Sequence, residues 1–366
     1  MVSTTTMPPI TRFGRGFIVR ILGLFLCGIV LLSALRTFMY DDAVRLMPSW
    51  NSGSAAPSNE HNPPVHVKDE CPPREALEDI LVIFKTGATE IHEKLPVHFE
   101  TTLRCIPNIK IVSDFEEDFH GHHVEDVLAD VSPAIQKSEP EFEVYNRLKT
   151  HGRGAITPEE LAEWSAAQNT IYGATENLAW KLDKWKFVPM LNKTYRAQPD
   201  AKWFIFMEAD TYINWPNMLA WLDQFDPVKR LYLGEQMQIG DILFGYGGTG
   251  YVLSNPAMRK ALKYQKANAK EIEEFTSTQW AGDMVLGWVL GQAGIELHWS
   301  WPNLQGQVPS DLDYFAVGWH KRQWCYAAVS YHHMKPSDIV ALDRFERSWE
   351  GSVSETTSNL SPADVC

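Results

Sequence analysis

Two acidic side chains spaced two residues apart, those of Glu208 and Asp210, follow a run of five apolar residues from Trp203 to Met207. A short continuous apolar run is typical of a strand buried on both faces inside an α/β domain, and such sheets bind ligands beyond the carboxyl ends of their strands. Alternate residues of an extended strand point the same way, so both carboxylates can reach one target. Oxygen ligands suit a hard divalent cation such as Mg²⁺ or Mn²⁺ that bridges to phosphate. The segment therefore predicts a metal and phosphate site, with a solvated acidic turn as the alternative.

Asp283, His332 and His333 are further residues whose types allow chemistry. Asp283 opens a helix-like stretch from Met284 to Gln292, where an aspartate serves either as the N-cap or as a general base that faces a cleft. The segment from Cys325 to Met334 predicts a late strand, which would place the two histidines on opposite faces. The default role of either histidine is that of a buried, hydrogen-bonded side chain.

The elements that must position these residues follow the pattern of a nucleotide-binding α/β unit. Ile80 to Phe84 predicts a second buried strand, and the polar turn from Lys85 to Thr89 leads into a helical stretch. Asn177 to Leu191 predicts one amphipathic helix ahead of the acidic strand. The lysines of this helix form a solvated face, or one of them reaches a diphosphate; they are Lys181, Lys184 and Lys186.

Four glycines lie in the segment from Phe244 to Leu253, next to another predicted strand. Glycine permits positive φ and the close approach of another backbone or a ligand. The segment therefore predicts either a close contact at the site or a plain turn.

Composition excludes several classes of function. The chain has 366 residues with 45% apolar content, and its 33 basic and 46 acidic residues give a net charge of −13. An acidic chain without a long basic run lacks the positively charged surface that binding to nucleic acid requires.

No cysteines form a C-x-x-C pair, which argues against zinc or thiol redox chemistry. Four cysteines outside the apolar N-terminal segment allow three pairings in an oxidising compartment, of which we favour Cys71 with Cys105 and Cys325 with Cys366.

The N-terminal region predicts a membrane anchor over residues 17–39, after a cytosolic tail over residues 1–16. This stretch is long enough to cross a bilayer, and terminal arginines can snorkel to the interface. A cleaved signal peptide is the alternative, but no small-residue cleavage site follows Leu35. Arginines precede the stretch and acids follow it, so the remainder of the chain is expected in a lumen. Residues 40–70 then predict a flexible stem, residues 71–349 a globular domain and residues 350–366 a Ser/Thr-rich tail.

Three segments in order resemble the β1,3-glycosyltransferases of family 31, most closely the core 1 galactosyltransferase branch. Trp203-Phe-Ile-Phe-Met-Glu-Ala-Asp-Thr-Tyr212 resembles the family's Trp-Phe-Leu-Lys-Ala-Asp-Asp-Asp-Thr-Tyr. Gly247-Gly-Thr-Gly-Tyr-Val-Leu-Ser254 is similar to its Gly-Gly-Ala-Gly-Tyr-Val-Leu-Ser, and Ala328-Val-Ser-Tyr-His332 to its Ala-Val-Ser-Phe-His. The resemblance spans about Ile80 to Leu342 and implies an α/β domain of the GT-A type, a Rossmann-like mixed sheet flanked by helices.

The resemblance also implies a role for individual residues. Asp210 and His332 correspond to the metal ligands, and Asp283 to the catalytic base. Residues of the donor site other than Asp210 would be Thr86, Gly87, Lys181 and Glu208. Acceptor contacts would involve Gly248 and Tyr251 of the glycine segment. Three tryptophans either stack on acceptor sugar rings or, as is more common for tryptophan, pack in the core; they are Trp280, Trp299 and Trp301. Ala209 in place of the middle aspartate and Gly282 in place of a glutamate are departures from the family pattern.

The activity that the resemblance implies is the Mn²⁺-dependent transfer of a hexose, with inversion, from a UDP-sugar. The expected reaction joins galactose from UDP-galactose in β1,3 linkage to a glycan or glycoprotein acceptor such as O-linked GalNAc, at a Golgi or endoplasmic reticulum membrane. A homodimer is compatible with this class. The alternatives are the same fold with another donor, such as UDP-GlcNAc, and a non-catalytic luminal carbohydrate-binding protein.

Overall fold

The computed structural model describes residues 71–166 and 177–348. The predicted anchor over residues 17–39, the stem and the C-terminal tail lie outside the described residues. Within the described ranges, no helix is both long enough and apolar enough to cross a membrane.

The described part of the chain contains fifteen strands and twelve α-helices, joined by 3₁₀ turns and loops. The strands are β1 (Ile80–Lys85), β2 (Ile109–Ser113), β3 (Glu117–Phe119), β4 (His122–Asp126), β5 (Trp203–Glu208), β6 (Tyr212–Ile213), β7 (Tyr232–Gly234), β8 (Gln236–Ile239), β9 (Ile242–Gly245), β10 (Tyr251–Ser254), β11 (Leu297–Trp299), β12 (Leu304–Gln305), β13 (Val317–Gly318), β14 (Lys321–Arg322) and β15 (Ser330–Tyr331). The α-helices are α1 (Arg74–Leu77), α2 (Ile91–Glu100), α3 (Pro133–Ser138), α4 (Phe142–His151), α5 (Pro158–Ala166), α6 (Leu178–Leu182), α7 (Pro189–Ala197), α8 (Trp215–Leu222), α9 (Asn255–Ala267), α10 (Ala269–Ser277), α11 (Gly282–Gln292) and α12 (Pro336–Ser348).

An eight-stranded mixed sheet in the order β11-β7-β10-β5-β1-β2-β4-β3 forms the centre of the domain. β10 runs antiparallel to both β5 and β7, and β3 runs antiparallel to β4, whereas the remaining neighbours pair in parallel. The carboxyl ends of β1, β2, β5, β7 and β11 therefore meet at one edge of the sheet, together with the segment that leads into β10.

Both faces of the central strands are covered, as the continuous apolar runs predict. Every residue of β1 is buried, and alternate side chains enter two separate hydrophobic clusters. Leu81, Ile83, Phe204 and Phe206 pack on one face, against residues of the α7, α9 and α11 helices. The opposite face packs against α2 and α8. This two-sided burial fixes the strand ends that carry the polar residues.

The predicted helix from Asn177 to Leu191 is wrong in its continuity. The segment instead forms α6, a 3₁₀ turn over Asp183–Trp185 and, from Pro189, the start of α7. Proline has no N–H to donate within a helix and disfavours helical backbone in the residue before it, but it is well tolerated at the first helical position. The break places Asp183 and Lys186 at the sheet edge rather than on a solvated face.

A disulfide joins Cys71 to Cys105, with a Cα–Cα distance of 5.4 Å, and confirms one predicted pair. The other predicted pair involves Cys366, which lies outside the described residues. The bond connects the segment before β1 to the segment before β2.

Candidate active site

Asp210, His332 and His333 form a cluster at the carboxyl edge of β5. One potential ligand atom from each residue lies within 4.8 Å of the others. Asp210 Oδ1 is 3.4 Å from His332 Nε2, and the two histidine rings stack with centroids 3.8 Å apart. Among the described residues this is the one group of three or more such side chains that is close enough to hold a metal ion.

His333 enters the cluster because the chain does not continue as a strand. β15 ends at Tyr331, and His333 has a left-handed backbone with φ of 59°. The predicted strand with histidines on opposite faces is therefore wrong at this point. Left-handed backbone is costly for a residue with a side chain and is found mostly where the surroundings impose it, often at functional sites. Nothing in the residue spacing indicated it.

The glycine segment provides the space for the His332 ring. A Cβ atom on Gly248 would lie 2.0 Å from Cε1 of His332 and 2.1 Å from Nε2, so no larger residue fits without displacing the imidazole. Thr211 donates a hydrogen bond to the Gly248 carbonyl, and Ser330 donates one to the carbonyl of Thr249. These bonds join the glycine segment to Thr211, which follows Asp210 in the turn after β5, and to Ser330 of β15, just ahead of His332.

Charge in the cluster favours an ionised carboxylate beside a protonated imidazole. Burial alone would raise the pKa of Asp210, but pairing with His332 and the charge of Lys94 hold that pKa well below its usual range. Burial lowers the pKa of His332, whereas Asp210 more than offsets this and raises it. A cation that binds His332 would therefore displace a proton, as is general for histidine ligands.

The donor set fits a transition-metal cation. Two imidazoles and one carboxylate suit a first-row transition-metal cation better than Mg²⁺, which prefers oxygen ligands. His332 Nδ1 is buried without a hydrogen-bond partner in the described structure, so part of the ring's bonding capacity is unused. Glu208 does not join this cluster, although it was expected to share a target with Asp210.

Glu208 belongs instead to a charge network beside the carboxyl end of β1, in which the lysines are buried and the side chains of Glu208 and Asp183 are partly exposed. Lys85 Nζ contacts Glu208 Oε1 at 3.3 Å and also pairs with Asp183. Lys186 Nζ lies 3.3 Å from Asp183 Oδ1 and 3.1 Å from Asp114 Oδ2. Burial, the largest cause, together with the charges of Asp183 and Asp210 raises the pKa of Glu208 to about 7, against the opposing effect of Lys85.

The turn over Thr86 and Gly87 is built on this network. Lys186 donates to the Thr86 carbonyl at 3.0 Å, and the Ala88 N–H donates to Asp114 Oδ1 at 2.7 Å. A Cβ on Gly87 would lie 3.2 Å from Lys186 Nζ, which is tighter than an ordinary contact. Lys181 makes no ion pair or side-chain hydrogen bond with the described residues, so the lysines at this turn are Lys85 and Lys186. Lys85 could have been recognised as a site residue from the sequence, because it directly follows the apolar run of β1. Lys186 could not, because it reaches the turn only where the predicted helix is broken before Pro189.

Asp283 lies in the first turn of α11, but it is not the N-cap, which is Ala281. Its Oδ2 accepts a hydrogen bond from Gly247 N and its Oδ1 one from Met284 N, both at 2.9 Å. Burial raises the pKa of Asp283, and these two backbone donors partly offset the effect. A carboxylate has further lone pairs, so Asp283 keeps the capacity to accept a proton.

The remaining predicted residues divide into buried and exposed groups. Tyr251 is buried and stacks on Phe206, with ring centroids 4.6 Å apart. Trp280 and Trp299 are exposed, and Trp299 and Trp301 both pack against the ring of Trp319. The roles of these residues toward an acceptor stay predictions.

The mixed sheet, its flanking helices and the polar groups at the carboxyl edge together fit an α/β transferase domain of the GT-A type. The chain belongs to the Fringe-like family, whose family model matches residues 159–348, just over half of the sequence. This family lies within glycosyltransferase family 31, so the chain is a glycosyltransferase by family membership and the predicted resemblance is confirmed at that level. The matched region contains Asp210, Asp283 and His332.

Proposed function

We propose that the protein is a metal-dependent inverting glycosyltransferase that uses a UDP-sugar, with galactose as the sugar transferred in β1,3 linkage to an acceptor such as O-linked GalNAc. The observation that carries this proposal is the cluster of Asp210, His332 and His333 at the same sheet edge as Asp283. The proposal includes the membrane anchor over residues 17–39 and a Golgi location, which rest on the sequence alone.

Donor binding is assigned to the carboxyl ends of β1, β2 and β5. The turn over Thr86 and Gly87 would receive the uridine, and the buried ion pairs of Lys85 and Lys186 hold that turn in shape. Asp210, His332 and His333 would hold Mn²⁺. When bound, this cation would neutralise charge on the diphosphate leaving group.

Asp283 is assigned the role of general base. The hydrogen bonds from Gly247 N and Met284 N fix its carboxylate against the glycine segment. As the bond between the sugar and UDP breaks, the acceptor oxygen bonds to the anomeric carbon from the opposite face and Asp283 takes the proton of that hydroxyl. Such a step is worth about 10²- to 10⁴-fold in rate.

The test is a donor panel with the purified full-length chain, with and without Mn²⁺ and an aryl α-GalNAc acceptor. We expect UDP-galactose to give Mn²⁺-dependent product and Asp210→Asn to abolish it. Asp200→Asn is the matched control, because Asp200 is exposed just ahead of β5 at the opposite end of that strand.

Other outcomes separate the alternatives. Product from UDP-GlcNAc but not from UDP-galactose would refute the donor assignment. Saccharide binding without release of UDP from any donor would favour a non-catalytic carbohydrate-binding protein. Ala209, which replaces an acidic residue of the family pattern, is the feature that keeps that candidate open.

A further inference from the structure

Lys94 is a lysine beside the metal cluster to which the proposed donor site assigns no role. It lies near the start of α2, the helix that directly follows the turn assigned to uridine. The backbone N–H at the first position of this helix donates to the Gly87 carbonyl at 3.0 Å, so the helix and the turn are joined. Lys94 Nζ pairs with Glu90 Oε2 at 2.8 Å and lies 3.9 Å from Asp210 Oδ2. Lys94 therefore lies between the turn assigned to uridine and the cluster assigned to the metal.

Solvent exposure distinguishes Lys94 from Lys85 and Lys186. The side chains of those two lysines are only 6% and 3% exposed, and each already contacts two carboxylates. The side chain of Lys94 is 30% exposed, so a ligand can reach it. Of its two carboxylate neighbours in the described structure, only Glu90 is close enough for a hydrogen bond. Since an ammonium group has three N–H donors, Lys94 has donors left for a bound anion.

The position of Asp210 determines where the phosphate groups of a nucleotide would lie. A divalent cation at a nucleotide site is held by few protein ligands and completes its coordination with phosphate oxygens. Because the ligands of one small cation lie in contact with one another, those phosphate oxygens would be neighbours of the Asp210 carboxylate. Lys94 Nζ is already 3.9 Å from that carboxylate. A rotation of its flexible side chain is enough to bring the ammonium group to a phosphate oxygen.

The balance of charge supports the same placement. A divalent cation on Asp210 and the ammonium group of Lys94 would repel each other, because both are positive and only a short distance apart. The cation would also weaken the attraction between Lys94 and Asp210. A diphosphate carries enough negative charge to offset both cations, and lysine is a common phosphate ligand in proteins. The ion pair with Glu90, one helical turn earlier, keeps the ammonium group at this position.

We propose that Lys94 binds the diphosphate of the UDP-sugar, its ammonium group donating hydrogen bonds to phosphate oxygens next to the cation on Asp210. This inference rests on the proposed function and adds a donor-binding residue to it. Lys94 would neutralise part of the negative charge that stays on UDP when the sugar is transferred. Uridine alone, which has no phosphate, would gain nothing from Lys94. The affinity that Lys94 contributes should therefore depend on the phosphate groups of the ligand.

The test compares two ligands that differ only in their phosphate groups. Calorimetry with the full-length chain and saturating Mn²⁺ would give the Kd of UDP directly and that of uridine by competition with UDP. We expect Lys94→Met, which keeps the length of the side chain and removes its charge, to raise the Kd of UDP about tenfold or more. The Kd of uridine should stay within about twofold of the wild-type value, because no contact with uridine is lost.

Further variants separate the charge of Lys94 from effects on folding. Lys94→Arg keeps the charge and should retain more UDP affinity than Lys94→Met. Lys94→Gln removes the charge but keeps a polar contact with Glu90, so it gives the same test if Lys94→Met does not fold. Lys270→Met is the matched control, since Lys270 pairs with Glu274 four residues away on α10 and is 90% exposed. It should bind UDP as the wild type does.

Three results would overturn the inference. One is an unchanged Kd of UDP in the uncharged variants. Another is an equal loss of affinity for UDP and uridine, since the substitution would then disturb the turn that holds uridine. A third is a loss of Mn²⁺ affinity in the nucleotide-free chain as large as the loss for UDP, since Lys94 would then act through Asp210. UDP binding by a wild-type chain that transfers no sugar would refute the proposed function alone, because the binding comparison still decides the role of Lys94.

Discussion

Gly248 determines whether the His332 ring can take its place beside Asp210, which makes Gly248→Ala a sharp test of the cluster. The added Cβ would lie 2.0 Å from His332 Cε1, whereas carbon atoms in contact stay about 3.5 Å apart. The ring must therefore move by about 1.5 Å, and it loses its 3.4 Å contact with Asp210. We expect the free energy of unfolding to fall by about 1–3 kcal/mol, as for other overpacked sites. Mn²⁺ affinity should fall at least tenfold, since even changes outside the ligand shell have effects of that size.

Introducing Gly248→Ala into a His332→Ala variant separates the clash with the imidazole ring from any other effect of replacing this glycine. Without the imidazole, the methyl group of Gly248→Ala occupies vacated space, so the second substitution should cost little. A double-mutant cycle measured by urea unfolding should then give a coupling energy of about 1–3 kcal/mol. Calorimetric Mn²⁺ titration of the same four proteins checks the ligand role. Additive destabilisation, or wild-type Mn²⁺ affinity in Gly248→Ala, would refute the reasoning.

Three further predictions concern backbone strain, the disulfide and pH. His333→Gly should be about 1 kcal/mol more stable to urea than His333→Ala, because only glycine relieves the left-handed backbone, while both variants lose Mn²⁺ affinity alike; equal stabilities would argue against strain. Cys71→Ser should lower the free energy of unfolding by up to about 4 kcal/mol, as the bond closes a 34-residue separation, and Cys105→Ser in the same chain should add nothing. Burial lowers the pKa of His98 to about 4, so protonation favours the unfolded chain: stability should be full above about pH 6.5 and fall by about 3 kcal/mol as the pH drops toward 4. Urea midpoints of His98→Gln should lack that part of the pH dependence, and an unchanged slope would contradict the assignment.

The central strands were predictable because their burial leaves a direct trace in the sequence. Ile80 to Phe84 and Trp203 to Met207 are continuous apolar runs, and both form paired parallel strands. Asp210 and Asp283 were identifiable as candidates because each stands at the end of an apolar run or the start of a helix. The local sequence pattern was sufficient to identify a site residue where a single strand or helix determines its position.

Residues that several elements fix together were not predictable. His333 reaches the cluster through one left-handed dihedral, which single-residue spacing does not encode. Lys186 reaches Asp114 only because the chain breaks before Pro189 and the strands bring distant segments together. Each depends on tertiary packing that overrides the local pattern.

The disulfide also determines how the domain can be attached to other structures. Cys71 is joined to Cys105 at the end of the sheet where β1 and β2 begin, and the Asn108 side chain donates to the carbonyls of Glu78 and Ile80 there. The candidate site is at the opposite end of the same strands. A solid support, fusion partner or affinity tag joined ahead of Cys71 would therefore leave the site unobstructed, so that large acceptors can approach an immobilised enzyme.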